Sequence, residues 1–175
     1  MSENEALLNP RVIVIQKLYS HHFNNYTHKN NKILESTCCE YAASYGYINI
    51  LKYLISVNFQ YNEWTLAALA KFGNIQYIEF LINEGCLPDS KIYSYASKYG
   101  NINVLKWALN KNIEKDEWAC ANAAGSGELI ILKWLRNNNF PWDENTITMA
   151  IIFGQLRTLK WAINNNCSIT FTQLL

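Results

Sequence analysis

Asp89, Asp116 and Asp143 stand 27 residues apart, and a fold that gathered them would hold three carboxylates together. Such a group can bind a hard cation or share a proton in acid–base work. The same spacing, however, takes in Asn62 and Thr170. All five are residue types that favour the position opening a helix, because a side-chain oxygen there accepts from free backbone N–H groups. Helix caps are therefore expected, not a carboxylate cluster. Gly125-Ser126-Gly127 falls at a repeat junction and lacks the pattern of a phosphate-cradling loop. His21, His22 and His28 all precede the repeating region, and the chain has no CxxC pair, so a zinc site is not expected. No nucleophile–histidine–acid set exists in the repeats. The expectation is a protein that is not an enzyme, with no cofactor, no metal and no small-molecule substrate.

Two further patterns carry chemistry. Lys106-Trp107, Lys133-Trp134 and Lys160-Trp161 interleave cations with aromatic rings, as single-strand nucleic-acid binders do. The tryptophans fall on the apolar side of a predicted helix, where they are expected to wedge between units as core. The five cysteines divide by phase: Cys39 and Cys120 share one position in the period, Cys86 and Cys167 another. Cysteine recurring with a repeat is expected to be a small buried apolar residue, not half of a disulfide.

The elements that would position these residues follow from the glycines. Gly46, Gly73, Gly100, Gly127 and Gly154 recur every 27 residues, the mark of a stacked supersecondary unit. Before each glycine come small residues such as Ala42-Ala43 and Ala123-Ala124; after it come aliphatic residues at offsets 2 and 5 and an aromatic at offset 7. Each unit is predicted to hold two short helices. The first has small packing residues; the second has bulky ones at offsets 2, 5 and 8–9, with glycine making the turn between them. Twelve residues after each glycine stands Asn58, Gly85, Asn112, Asn139 or Asn166, types that tolerate the left-handed conformation ending a helix.

Half of the 175 residues are hydrophobic, 14% are aromatic and 17% are charged, which suits a packed core. The formal charge of +1 gives no footprint for nucleic acid or anionic lipid, and no apolar run is long enough to span a bilayer. Glu3 and Glu5 precede a short apolar stretch unlike a secretory signal, so an intracellular location is expected.

In its phases the unit resembles the ankyrin repeat. Thr37-Cys38-Cys39-Glu40-Tyr41-Ala42-Ala43-Ser44-Tyr45-Gly46 matches the first half of that family's unit, and Asn101-Ile102-Asn103-Val104-Leu105-Lys106-Trp107-Ala108-Leu109 the second. The stride is shorter than the family's roughly 33 residues, and the deficit falls where ankyrin repeats carry β-hairpin fingers. Leu105-Lys106-Trp107, Leu132-Lys133-Trp134, Leu159-Lys160-Trp161 and Trp142-Asp143-Glu144 make this short form similar to ankyrin-like proteins of giant viruses infecting amoebae. The resemblance implies an all-α, ankyrin-like α-solenoid of stacked helix-turn-helix repeats without long fingers. Its divisions would be an N-terminal capping segment at 1–35, five repeats at about 36–62, 63–89, 90–116, 117–143 and 144–170, and a partial sixth repeat or cap at 171–175. A helix over about 10–22 or a strand through 12–15 would cap the first unit, with a polar linker at 28–32.

The resemblance also implies a function: a viral protein-interaction scaffold in the host cell cytoplasm, engaging a protein partner through its concave face. The residues just before the glycines face that groove in the family. They are Ser44, Tyr45, Lys71, Phe72, Lys98, Tyr99, Ser126 and Phe153 here, and their rings are expected either to anchor a partner or to stack as a ladder. Alternatives are a structural protein that self-associates end to end through its C-terminal repeat, and a single-strand nucleic-acid binder. A membrane partner is not expected.

Overall fold

The computed structural model describes the backbone of residues 31–168 and the side-chain surroundings of residues 36–168. The expected N-terminal capping element at 1–35, apart from its last few residues, lies outside that range. So do the cap Thr170 and the partial repeat at 171–175. Among the described residues every regular element is a helix, and there is no strand. The chain divides into two compact units, one up to Thr65 and one from Leu66.

In the first unit α1 (Asn31–Ser44) packs on α2 (Ile48–Ser56). Helix α1 already includes Asn31 and Lys32, where a polar linker was expected, and it runs through the anticipated boundary at residue 36. Cys38, Cys39, Ala42 and Ala43 of α1 and Leu51 and Leu54 of α2 are buried. The turn between the helices is built as a helix end requires. Tyr47 N–H donates to Ala42 O at 2.8 Å and Gly46 N–H to Ala43 O at 3.1 Å, with Gly46 at φ 73°. Those two bonds satisfy carbonyls that the helix itself leaves free, and the positive φ is why glycine stands there.

Helix α3 (Glu63–Ala70) runs across the division between the units. The second unit continues with α4 (Ile75–Asn83), α5 (Lys91–Lys98), α6 (Ile102–Asn110), α7 (Trp118–Gly125), α8 (Leu129–Asn137), α9 (Glu144–Ile152) and α10 (Leu156–Asn164). Helices α5 and α6, α7 and α8, and α9 and α10 pack as pairs, and α7 lies between α5 and α9. Ala119, Cys120, Ala121, Ala123 and Ala124 of α7 are completely buried there, small enough to let both neighbours approach.

The second helices end the same way throughout, with Asn58, Asn112, Asn139 and Asn166 at φ between 55° and 62° and Gly85 at 96°. The residue that follows each of these donates its N–H five residues back: Phe59 to Leu54, Cys86 to Leu81, Ile113 to Ala108, Phe140 to Leu135 and Cys167 to Ala162. Its side chain is buried in every case. This position under the helix end explains why Cys86 and Cys167 share a phase. All five cysteines are buried thiols, and burial pushes the Cys120 thiol up to about 12 and the Cys167 thiol up to about 11.

Two expectations need correction. In α6 and α8 the core face lies at offsets 4, 5 and 8 from the glycine, with Val104, Leu105 and Ala108 in one and Ile131, Leu132 and Leu135 in the other. Offset 7 lies about 100° around the helix from offset 8. Trp107, Trp134 and Trp161 therefore sit half-buried at the edge of that face, Trp134 against the buried Phe140 and Trp161 against Trp142. The second correction concerns the caps. Asn62 Oδ1 accepts from Trp64 and Thr65 N–H at 3.1 and 3.3 Å, Asp89 Oδ1 from Lys91 N–H at 3.0 Å, and Asp143 Oδ1 from Asn145 N–H at 3.0 Å. Asp116 does not cap: α7 begins at Trp118 without a side-chain cap bond, and Asp116 Oδ1 is buried with no hydrogen-bond partner.

Candidate interaction surface

The row before the glycines falls at the C-terminal ends of the first helices, where a turn exposes one or two side chains before the chain reverses. In the first unit Tyr45 is 56% exposed. Its ring stacks on Tyr41 with centroids 5.7 Å apart and on Tyr47 at 5.9 Å. Ser44 hydroxyl donates to Tyr41 O at 3.0 Å, within its own helix. This part of the row is a tyrosine stack.

In the second unit Phe72 is 48% exposed and Tyr99 42% exposed. Lys71 Nζ lies 5.0 Å from the Phe72 ring centre and 5.2 Å from that of Tyr99, so one ammonium links the two rings. Lys98 Nζ stands 5.8 Å from the Tyr99 ring on an exposed side chain. The electron-rich ring faces hold both cations. Cation and ring alternate here, and both rings remain exposed.

One unit on, Ser126 hydroxyl donates back to Asn122 O at 2.8 Å and offers little to a partner. Gly125 beside it is a notch. A Cβ there would come within 3.2 Å of Phe153 Cδ2 and Met149 Cβ, so the missing side chain lets Phe153 lie across α7. Phe153 remains 57% exposed, next to Ile152 at 65%. The row in this unit thus passes from cationic and aromatic, through small, to apolar.

Sequence reasoning missed the brace behind this row. Asn101 Nδ2 donates to Ala70 O at 3.0 Å and to Lys71 O at 2.6 Å, tying α6 to the end of the preceding first helix. Gln155 and Glu128 reach likewise toward Gly127 and Gly100. The signal was present in the polar residue following most of the glycines. On the second helices, Trp107 Nε1 donates to Glu79 Oε1 at 2.9 Å and Lys111 Nζ stands 3.3 Å from the same oxygen. The Trp107 hydrogen bond, then Lys111, hold the Glu79 carboxyl below its ordinary value.

Among the described residues no group of three histidine, cysteine or acidic side chains is placed to hold a metal ion, and no helix is long and apolar enough to cross a membrane. Fold and surface together define an all-α protein of recurring, packed helix pairs with an aromatic row at the helix ends. No family model matches the chain, and no curated protein is similar to it.

Proposed function

We propose that the chain is a non-enzymatic interaction scaffold built of short ankyrin-type repeats, an α-solenoid without long fingers. The observation that carries this reading is the exposed rings at the ends of first helices: Phe72, Tyr99 and Phe153 in the second unit and, by itself, Tyr45 in the first. Large rings left in water on rigid supports are what a binding surface needs, since they bring buried area on contact at small cost in side-chain entropy. The partner is a protein, and the setting is a host cytoplasm reached by a virus of amoebae. Capture from an amoebal lysate with the parent chain and with the combined Tyr45→Ala, Phe72→Ala and Tyr99→Ala variant tests this. Retention that survives the three changes defeats the row as the binding surface.

One observation favours a second reading, end-to-end self-association. Ile151, Ile152 and Leu156 are exposed in the last described helix pair, whereas Ala124 and Gly125, one period before Ile151 and Ile152, are buried. Light scattering across a concentration series decides: a mass fixed at one chain removes this reading.

A further inference from the structure

We infer that, on the end-to-end reading above, the outer face of the last described helix pair is a two-fold interface. Ile151, Ile152, Leu156 and Ile163 of one chain pack on the same four residues of a second copy, and assembly closes at two. Helices α9 and α10 show what such a face meets inside the repeat array. They lie over α7 and α8, with the Thr158 hydroxyl donating to Ala124 O at 2.9 Å and Phe153 lying across Gly125. Under that cover Ala124 and Gly125 are buried and Leu129 and Arg136 are half-buried. One period on, the same phases hold Ile151, Ile152, Leu156 and Ile163, which are between 43% and 65% exposed. Against Gly73, Gly100 and Gly127 stands a polar side chain from the next repeat, whereas a Cβ on Gly154 would meet nothing. The stacking surface of the repeat is open at this pair, with isoleucine where the pair before it has Ala124, Gly125 and Arg136.

Side-chain size selects the face-to-face arrangement. The phase of Ile151 is held earlier in this unit by Ala70, Ser97 and Ala124, each completely buried. A further pair stacked in the repeat's own way would meet an isoleucine where each earlier pair offers only a small side chain, and overpacking of that kind is unfavourable. A face turned on itself keeps no such register. A two-fold axis sets the same patch on both chains against itself and leaves neither copy open to a third. The patch also asks for no charged partner. Arg157 and Lys160 lie about 100° around α10 from Leu156 and Leu159, off the apolar stripe, and α9 has no acid after Glu144. Two copies therefore meet without burying an unpaired ion. Four large side chains, each about half exposed, make a patch of roughly 300–600 Å², a size that on a single chain is often functional. Two such patches bury on the order of 1,000 Å², near the lower limit for a specific contact, so the dimer is weak.

The test is analytical ultracentrifugation of the full chain over about 5–500 μM, beside Ile152→Lys and a control outside the face, Ile130→Lys. Ile130 is 80% exposed on α8, and a cation suits the helix end at Ile152, so circular dichroism should show both variants folded. Expected are a parent that passes from one chain to two and no further, Ile130→Lys like the parent, and Ile152→Lys at least about tenfold weaker. Fluorescent Ile152→Lys should also join unlabelled parent more weakly than fluorescent parent does, because a two-fold contact uses the altered face in every pair. Undiminished joining, or species larger than two chains, would mean a head-to-tail contact; that overturns this inference and leaves the end-to-end reading standing. A parent that stays a monomer, or a dimer indifferent to Ile152→Lys, overturns both. In such a monomer, a melting temperature lowered by Ile152→Lys and not by Ile130→Lys would assign the cover of this face to residues 169–175 of the same chain.

Discussion

Asn101→Asp replaces one side chain by another of the same shape and removes both amide hydrogens at Ala70 O and Lys71 O. The two bonds measure 3.0 and 2.6 Å and join residues 30 and 31 positions apart, so they hold one repeat to the next. A neutral hydrogen bond contributes about 0.5–1.5 kcal/mol, giving about 1–3 kcal/mol for the pair. The new carboxylate also faces the carbonyl end of a helix, which adds about 0.3–1 kcal/mol. The expected loss is roughly 1.5–4 kcal/mol, or about 3–16 °C in melting temperature for a chain of this size. Urea unfolding of the parent, Asn101→Asp and Asn101→Ala reads it, with Asn101→Asp the least stable. The ordering carries a pH signature. Carbonyl oxygens raise the introduced carboxyl's folded pKa, so its penalty is complete above that value and fades as pH falls through it. Asn101→Asp should therefore approach Asn101→Ala in acid. A midpoint within about 0.3 kcal/mol of the parent at neutral pH would show that the brace holds nothing.

The neighbouring brace makes the opposite forecast. Glu128 stands one period after Asn101 but offers no amide donor, so Glu128→Gln should stabilise by about 0.5–1.5 kcal/mol; a lower melting temperature would count against the equivalence. Leu132→Ala, in the core, should cost about 2–5 kcal/mol and more than Trp134→Ala on the flank, and the reverse order in urea would restore tryptophan to the core. The lowered carboxyl of Glu79 contributes stability above its ordinary value of 4.5 that is lost as pH falls through the folded value. Trp107→Phe removes the main cause, so its acid unfolding curve should respond less to Glu79→Gln than the parent's does. Asn112 holds φ at 55°, so Asn112→Gly should be nearly neutral in thermal melts while Asn112→Val destabilises by about 1–2 kcal/mol.

The reading of sequence succeeded where a residue's own backbone chemistry decides the structure. Asn58, Asn112, Asn139 and Asn166 take the left-handed conformation because few other side chains accept it, and no distant neighbour is needed to select them. Asn62, Asp89 and Asp143 cap because their oxygens reach the N–H groups two residues on. Asp116, of the same type and phase, does not cap, which shows the limit of that local rule.

What lay within the residues themselves was the stride, the turns and most helix starts, since each depends on forces acting across a few bonds. Only packing decided which side of a second helix became core: Leu105 and Ala108 went inside, while Trp107, two positions from one and one from the other, stayed on the rim with its N–H on Glu79. Packing also set Lys71 between rings 27 positions apart in the chain, and carried the amide of Asn101 to carbonyls in the unit before. Such contacts join repeats, and nothing in a single repeat's composition says which side chains will meet across the gap.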